Sequence, residues 1–267
     1  MNKPLRIVII GSGNVAYHLA DAIKNCSESI HLIQIFNHKN SRKAQLFAKQ
    51  FHCSLTNDFK SIDSTADIYI IAVKDDVITQ LVSQLTPLRL KGIVVHTSGS
   101  MSLDILTNVS SYIGVFYPLQ SFYKGAIIDW KSTPILIEGN TPNVQRKLKQ
   151  LASYVSKKVQ VIDSQNRLQI HLSAVFACNF TNAMYVAAYD LIEKTLSKKH
   201  TELLKPIMIQ SFEKLQHIHP KKAQTGPAMR KDKLVMKKHL HLLKENQQLT
   251  KVYKTLSELI LKQQYSV

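Results

Sequence analysis

At 267 residues the chain exceeds the roughly 100–200 of a typical domain, so two domains are expected. Its 45% hydrophobic and 20% charged composition excludes a disordered chain. The formal charge of +17 can attract polyanions, but it is spread out. Residues 1–163 carry 18 basic and 11 acidic side chains and residues 164–267 carry 17 and 7, without the basic, aromatic-studded cluster of a nucleic-acid reader.

The first element in chain order is the apolar run Leu5 to Ile10, which suits a buried parallel strand. It ends in Gly11-Ser12-Gly13-Asn14-Val15-Ala16, a G-x-G-x-x-A turn, with a helix following to Lys24. Gly11 allows the tight turn, Gly13 leaves no side chain between backbone and a pyrophosphate, and Ala16 permits close helix–strand packing. The phosphates of a dinucleotide would then rest on the free N–H groups of the helix N-terminus. With a second strand beginning at Ile30, the motif has the context it requires.

Where that second strand ends, at Phe36, a protein preferring NAD places Asp or Glu on the ribose hydroxyls. This chain has Asn37, and no acidic residue occurs between Glu28 and Asp58. His38, Lys39, Arg42 and Lys43 crowd the turn, where cations suit a 2′-phosphate through charge-assisted hydrogen bonds. The cofactor predicted is NADP(H); the alternative is that these cations form a solvated helix face.

Ser41 is placed to cap a helix with Ala44, Phe47, Ala48 and Phe51 on one face, followed by a short strand at Cys53 to Leu55. Asp67 to Val73 reads as the fourth strand. It leads through Lys74-Asp75-Asp76 into a helix, with Asp76 as its expected cap, and its C-terminal end, Val73 and Lys74, should face the cofactor. Gly92 to His96 is the fifth strand. The small polar Thr97-Ser98-Gly99-Ser100 after it suits a nicotinamide ring, with Ser98 and Gly99 as candidate contacts. Strands at Tyr112–Tyr117, Thr133–Glu138 and Val159–Ile162, with a helix starting at Thr141-Pro142, complete a first domain ending at Asp163.

From Gln165 to Leu196 no proline or glycine intervenes, which predicts a helix of about thirty residues. Its apolar middle must be buried under its own domain or against another subunit, and this suggests a homodimer through the helical domain. The stretch Leu172 to Ala188 is broken by Asn179, Thr181 and Asn182, which excludes a membrane span. Steps of three or four place His171, Val175, Cys178, Asn179 and Asn182 on one face. Such a polar line must be paired within the packing or meet a ligand. Further helices are expected at Thr201–Gln216, Asp232–Leu243 and Gln247–Gln264. Arg230 is placed for a substrate carboxylate and Asp232 for a helix cap. Three cysteines, Cys26, Cys53 and Cys178, lack metal-ligand spacing and give no disulfide framework. Without a signal-peptide pattern ahead of Leu5, the expectation is a cytoplasmic protein with no metal and no nucleic-acid or membrane partner.

Four segments carry a resemblance across the whole chain: Gly11 to Ala16; Gly114-Val115-Phe116-Tyr117-Pro118-Leu119-Gln120; His171 with Ala174 to Phe180; and Thr225 to Asp232. The chain resembles the superfamily of pyrroline-5-carboxylate reductases, 6-phosphogluconate dehydrogenases and ketopantoate reductases. Within it, the chain is most similar to bacterial Rossmann-like oxidoreductases with a C-terminal domain of unknown function, themselves similar to deazaflavin-dependent NADP oxidoreductases. The resemblance implies an α/β fold: a Rossmann doubly wound, mostly parallel sheet over 1–163, then an all-helical 6-phosphogluconate-dehydrogenase-like domain over 164–267. In the better-known relatives the long helix offers a lysine and an asparagine to the reacting carbon. Here it offers His171, Asn179 and Asn182, with no lysine between Lys158 and Lys194.

The reading is an NADP(H)-dependent oxidoreductase acting on a small carbonyl, imine or hydroxy acid in the cleft between domains. His171, with an ordinary histidine pKa near 6.5, would exchange the substrate proton, and Asn179 and Asn182 would fix the carbonyl or hydroxyl. The alternative from another class is an NADP(H)-binding sensor or scaffold without turnover.

Overall fold

The computed structural model describes residues 3–265. Two compact units are present, Met1–Asn179 and Phe180–Val267.

The first unit is built on one eight-stranded sheet. Its strands are β1 (Leu5–Ile10), β2 (Ile30–Phe36), β3 (Ser54–Thr56), β4 (Ile68–Ile71), β5 (Ile93–His96), β6 (Ile113–Pro118), β7 (Ile135–Gly139) and β8 (Val159–Val161), in the order β3-β2-β1-β4-β5-β6-β7-β8. All neighbours pair in parallel except β6 and β7. The chain leaves β1 toward β2 and β3 and then returns to lay β4 on the other side of β1. This creates a switch point beyond the carboxyl ends of β1 and β4, where open parallel sheets bind ligands.

Alternation along the strands explains why the central ones are apolar throughout. Ile7 and Ile9 of β1 point into one core with Ile68 and Ile70 of β4, while Val8 and Ile10 join Tyr69 and Ile71 in a second core on the opposite face. The first core is covered by α1 (Asn14–Lys24), α2 (Arg42–Gln50) and α4 (Pro142–Val155), through side chains such as Leu19, Phe47 and Leu148. The second is covered by α3 (Asp75–Leu85) through Ile78, Leu81 and Leu85. Ser41 and Thr141 cap α2 and α4 by accepting from Ala44 N and Val144 N, as the sequence suggests.

Asp76 is not the cap of α3. The capping position is Lys74, without a side-chain bond, and Asp75 and Asp76 both lie in the first turn, where negative charge meets the positive end of the helix.

The chain is helical from α5 (Ser164–Ala174) through a π-helical segment, Val175–Phe180, into α6 (Thr181–Thr195). The predicted long helix is present, and of the two expectations for its apolar middle, burial under its own domain or against another subunit, the first is not what the chain shows. Arg167 is the buried residue of α5, and α6 has none, whereas Leu172, Phe176 and Val186 are half exposed or more. Between His171 and Asn182 the wider i→i+5 turn of the π-helical segment interrupts the regular 3.6-residue period on which their alignment was counted.

In the second unit, α6 is followed by α7 (Lys205–Lys214), with Pro206 in its first turn, α8 (Pro220–Ala223), α9 (Lys233–Leu242) and α10 (Gln247–Tyr265). Asp232 caps α9 by accepting from Val235 N at 3.1 Å. His239 and Tyr253 join α9 to α10 at 3.0 Å. Among the described residues no helix is long and apolar enough to cross a membrane.

Candidate functional site

The turn after β1 shows two glycines present for different reasons. Gly11 has φ +120°, and a Cβ there would lie 2.4 Å from the Ala72 carbonyl oxygen, so the fold itself requires glycine. Gly13 caps α1 in an extended conformation open to any residue, and a Cβ there would meet nothing within 4 Å. No protein contact demands a glycine at 13, so the bare backbone leaves room for something outside the protein. The Gly13 cap makes no side-chain bond, and α1 has no acidic residue in its first turn. Its first N–H groups therefore remain available to an anion.

Beyond the ends of β1 and β2 a cavity of about 400 Å³ is lined by Gly11, Phe36, Asn37, His38, Phe59, Val73 and residues of α3. Its mostly apolar wall suits a flat heterocycle. Asn37 forms part of the rim. Its Oδ1 accepts from Ser12 Oγ at 3.0 Å, and its Nδ2 donates to the Lys39 carbonyl at 2.6 Å, which ties the phosphate turn to the loop after β2. His38, Lys39, Arg42 and Lys43 are exposed, and among the described residues none is paired with a carboxylate. Val73 lines this cavity, while Lys74 is exposed at the start of α3. The structure thus gathers Gly11, Ser12, Gly13, Asn14, Val15, Asn37, His38 and Val73 around one end of the sheet.

The loop after β5 forms a second polar cluster. Ser98 Oγ and Ser100 Oγ donate to Asp75 Oδ2 at 2.8 and 2.5 Å, pinning the loop to α3. His96 Nδ1 accepts from Ser98 N at 3.2 Å and Nε2 donates to the Ser102 carbonyl at 3.3 Å. Burial first, and then the Arg167 charge, lower the His96 pKa to about 4, so this histidine is a neutral structural brace. A Cβ on Gly99 would lie 2.6 Å from His171 Nδ1 and 2.9 Å from Tyr117 Cζ. Ser98 and Gly99 therefore adjoin His171, which bonds Tyr117 Oη through Nδ1 at 3.0 Å.

One turn before His171, the fully buried Arg167 donates to Glu138 on β7, to the Met101 carbonyl and, at 3.1 Å, to Ser164 Oγ. Ser164 Oγ donates to Glu138 at 2.7 Å and accepts from Leu103 N at 3.0 Å. This knot fixes the start of α5, and hence His171, against β7 and the loop after β5. Tyr117, Arg167, Glu138 and Asp75 were not among the site candidates read from sequence. Tyr117 sits in one of the resemblance segments, but nothing in the strand pattern distinguishes it from a packing tyrosine. Asn179 is exposed on the π segment, and Asn182 and Arg230 are exposed in the second unit. Among the described residues the side chain hydrogen-bonded to His171 is Tyr117.

Two family models match: "NADP oxidoreductase coenzyme F420-dependent" over residues 6–99 and "Domain of unknown function (DUF2520)" over 133–260. No protein of curated function matches. Among solved structures, a Bacteroides fragilis protein provisionally named an NADP oxidoreductase is 32% identical, with 97% of this chain and 98% of that chain covered and a TM-score of 0.90. A reductive aminase from Aspergillus terreus, in complex with NADPH and ethyl-5-oxohexanoate, is 14% identical over 97% of this chain and 93% of its own, with a TM-score of 0.70. A 1-pyrroline-5-carboxylate reductase from Streptococcus pyogenes is 16% identical over 99% of each chain, with a TM-score of 0.58. The last two share the fold; the first shares fold and sequence. The chain therefore belongs to the NADP oxidoreductase family of the Bacteroides fragilis protein, and in it a Rossmann domain of the coenzyme-F420-dependent type is joined to a DUF2520 domain.

Proposed function

We propose that the protein is an NADP(H)-dependent oxidoreductase moving hydride between the nicotinamide and a small carbonyl, imine or hydroxy-acid substrate, with His171 exchanging the substrate proton. When bound, the nicotinamide supplies or accepts the hydride. The uncapped N-terminus of α1 holds the bridging phosphates, the cavity beside Phe36 takes the adenine, and Lys39 and Arg42 hold the 2′-phosphate with His38 and Lys43. Residues 1–163 serve the cofactor, and residues 164–267 serve substrate binding and dimerisation.

The observation that carries this reading is the placing of His171. It lies against Gly99 at the carboxyl end of β5, tied down at Nδ1 by Tyr117, with no protein partner at Nε2 among the described residues. A general acid or base needs such a free, oriented nitrogen. Asn179 and Asn182 are the candidates for the substrate carbonyl or hydroxyl, and Arg230 for a carboxylate. The exposed apolar residues of α5, the π segment and α6 support a homodimer. Stereospecific hydride exchange from labelled NADPH to a panel of small carbonyls, imines and hydroxy acids tests the reading. Transfer that falls by about 100-fold or more in His171→Ala supports it. NADPH binding without transfer to any compound would favour a sensor.

A further inference from the structure

The hydroxyl of Tyr117 has a single hydrogen-bond partner among the described residues, His171 Nδ1. If Nδ1 carried the proton and donated it, the phenol proton would be left without an acceptor in a partly enclosed position. The arrangement that satisfies both groups has the phenol donating and Nδ1 accepting, which leaves the second imidazole proton on Nε2. We propose that Tyr117 is a positioning residue that fixes His171 as its Nε2–H tautomer and resupplies its proton, and that this proton unit selects aldehydes or ketones over imines as the substrates reduced. The inference rests on the hydride-transfer reading above.

The chemistry balances for a carbonyl. As hydride arrives with its electron pair at the carbonyl carbon, the C=O π pair moves to oxygen. The Nε2 proton passes to that oxygen, the phenol proton passes to Nδ1, and the phenolate regains a proton from water. An alkoxide is a far stronger base than a phenolate: tyrosine titrates near 10, whereas an alcohol resembles water, near 15.7. The transfer is therefore downhill. Burial pushes the Tyr117 phenol up, while the Arg167 guanidinium draws it back toward its ordinary range. An imine, by contrast, must be protonated before it accepts hydride. Its nitrogen is a weaker base than phenolate, so a phenol-backed neutral imidazole does not supply that proton.

The test uses the full chain labelled with ¹⁵N-histidine, with His171 assigned by comparison with His171→Ala, above the histidine titration range. Long-range ¹H–¹⁵N spectra of the wild type are expected to show Nε2 protonated and Nδ1 bare. Tyr117→Phe, with NADPH affinity kept within about 2-fold as its fold control, is expected to give a tautomer mixture. A wild-type Nδ1–H tautomer, or an unchanged tautomer in Tyr117→Phe, overturns the positioning role. With NADPH and matched ketones, aldehydes and cyclic imines, turnover confined to the carbonyl compounds and reduced about 100-fold in Tyr117→Phe is expected. Turnover of the imines, or of neither class, overturns the substrate assignment. An intact tautomer with full activity in His171→Ala would instead defeat the proton-donor role of His171 and leave the tautomer result standing.

Discussion

Gly11 and Gly13 stand two residues apart and answer to different demands, so their alanine variants should separate fold from function. Gly11→Ala forces a Cβ toward the Ala72 carbonyl at a φ of +120°, with strain of about 1–3 kcal/mol before the overlap is counted; its melting temperature should fall clearly. Gly13→Ala fills open space, so its unfolding free energy should fall by no more than about 1 kcal/mol, the cost of alanine at a helix N-cap. Its NADPH affinity should nevertheless drop by about 10-fold or more, equivalent to about 1.4 kcal/mol. His96 offers a second test at the same scale. Its pKa is depressed to about 4 against about 6.5 in the unfolded chain, so between those values the unfolded state binds more protons. The contribution, of order 3 kcal/mol, is present above about pH 6.5 and lost as pH falls toward 4. Chemical denaturation at a series of pH values should show this slope in the wild type and not in His96→Gln, so that it appears in the difference between the two curves. Parallel curves would contradict it.

Among the elements, the parallel strands and their capped helices were legible because each rule acts locally: alternating burial over two cores, Ser41 and Thr141 at helix starts, Asp232 before α9. What was not legible depends on residues distant in sequence. The antiparallel turn of β7 against β6 follows from the path of residues 119–134, and no strand pattern records strand direction. The π segment between His171 and Thr181 is invisible to a 3.6-residue count. Asp75 carries no cue of its own beside Asp76, the expected cap, yet it is the carboxylate that accepts from Ser98 and Ser100. Arg167 was one charge on a mixed helix, yet it joins α5 to β7 and to the loop after β5. Arg167→Met should leave Glu138 nearly buried without its cation and cost about 3–5 kcal/mol. Urea unfolding would measure this, and a loss below about 1 kcal/mol would show that the knot contributes little.

For the whole molecule, composition and the glycine turn were enough to indicate a two-part, dinucleotide-dependent protein, because the phosphate turn is a local motif with a strict context. The substrate side was less legible. Its candidate groups come from β6, the loop after β5 and α5, which only the fold brings together. The half-exposed Leu172, Phe176, Phe180 and Val186 form more apolar surface than an isolated helix leaves to water. Sedimentation equilibrium at micromolar concentration should therefore give a dimer; a monomer would contradict dimerisation through this helix.

The central claim is that the turn beyond Ile10 and the cations after Phe36 hold a 2′-phosphorylated dinucleotide. Calorimetric titration of nucleotide-free protein with NADPH and NADH tests it most directly. The account predicts that NADPH binds at least about 10-fold more tightly, and that this margin shrinks in the double variant of Lys39→Ala and Arg42→Ala. Equal or tighter binding of NADH, or no heat with either nucleotide, would contradict it.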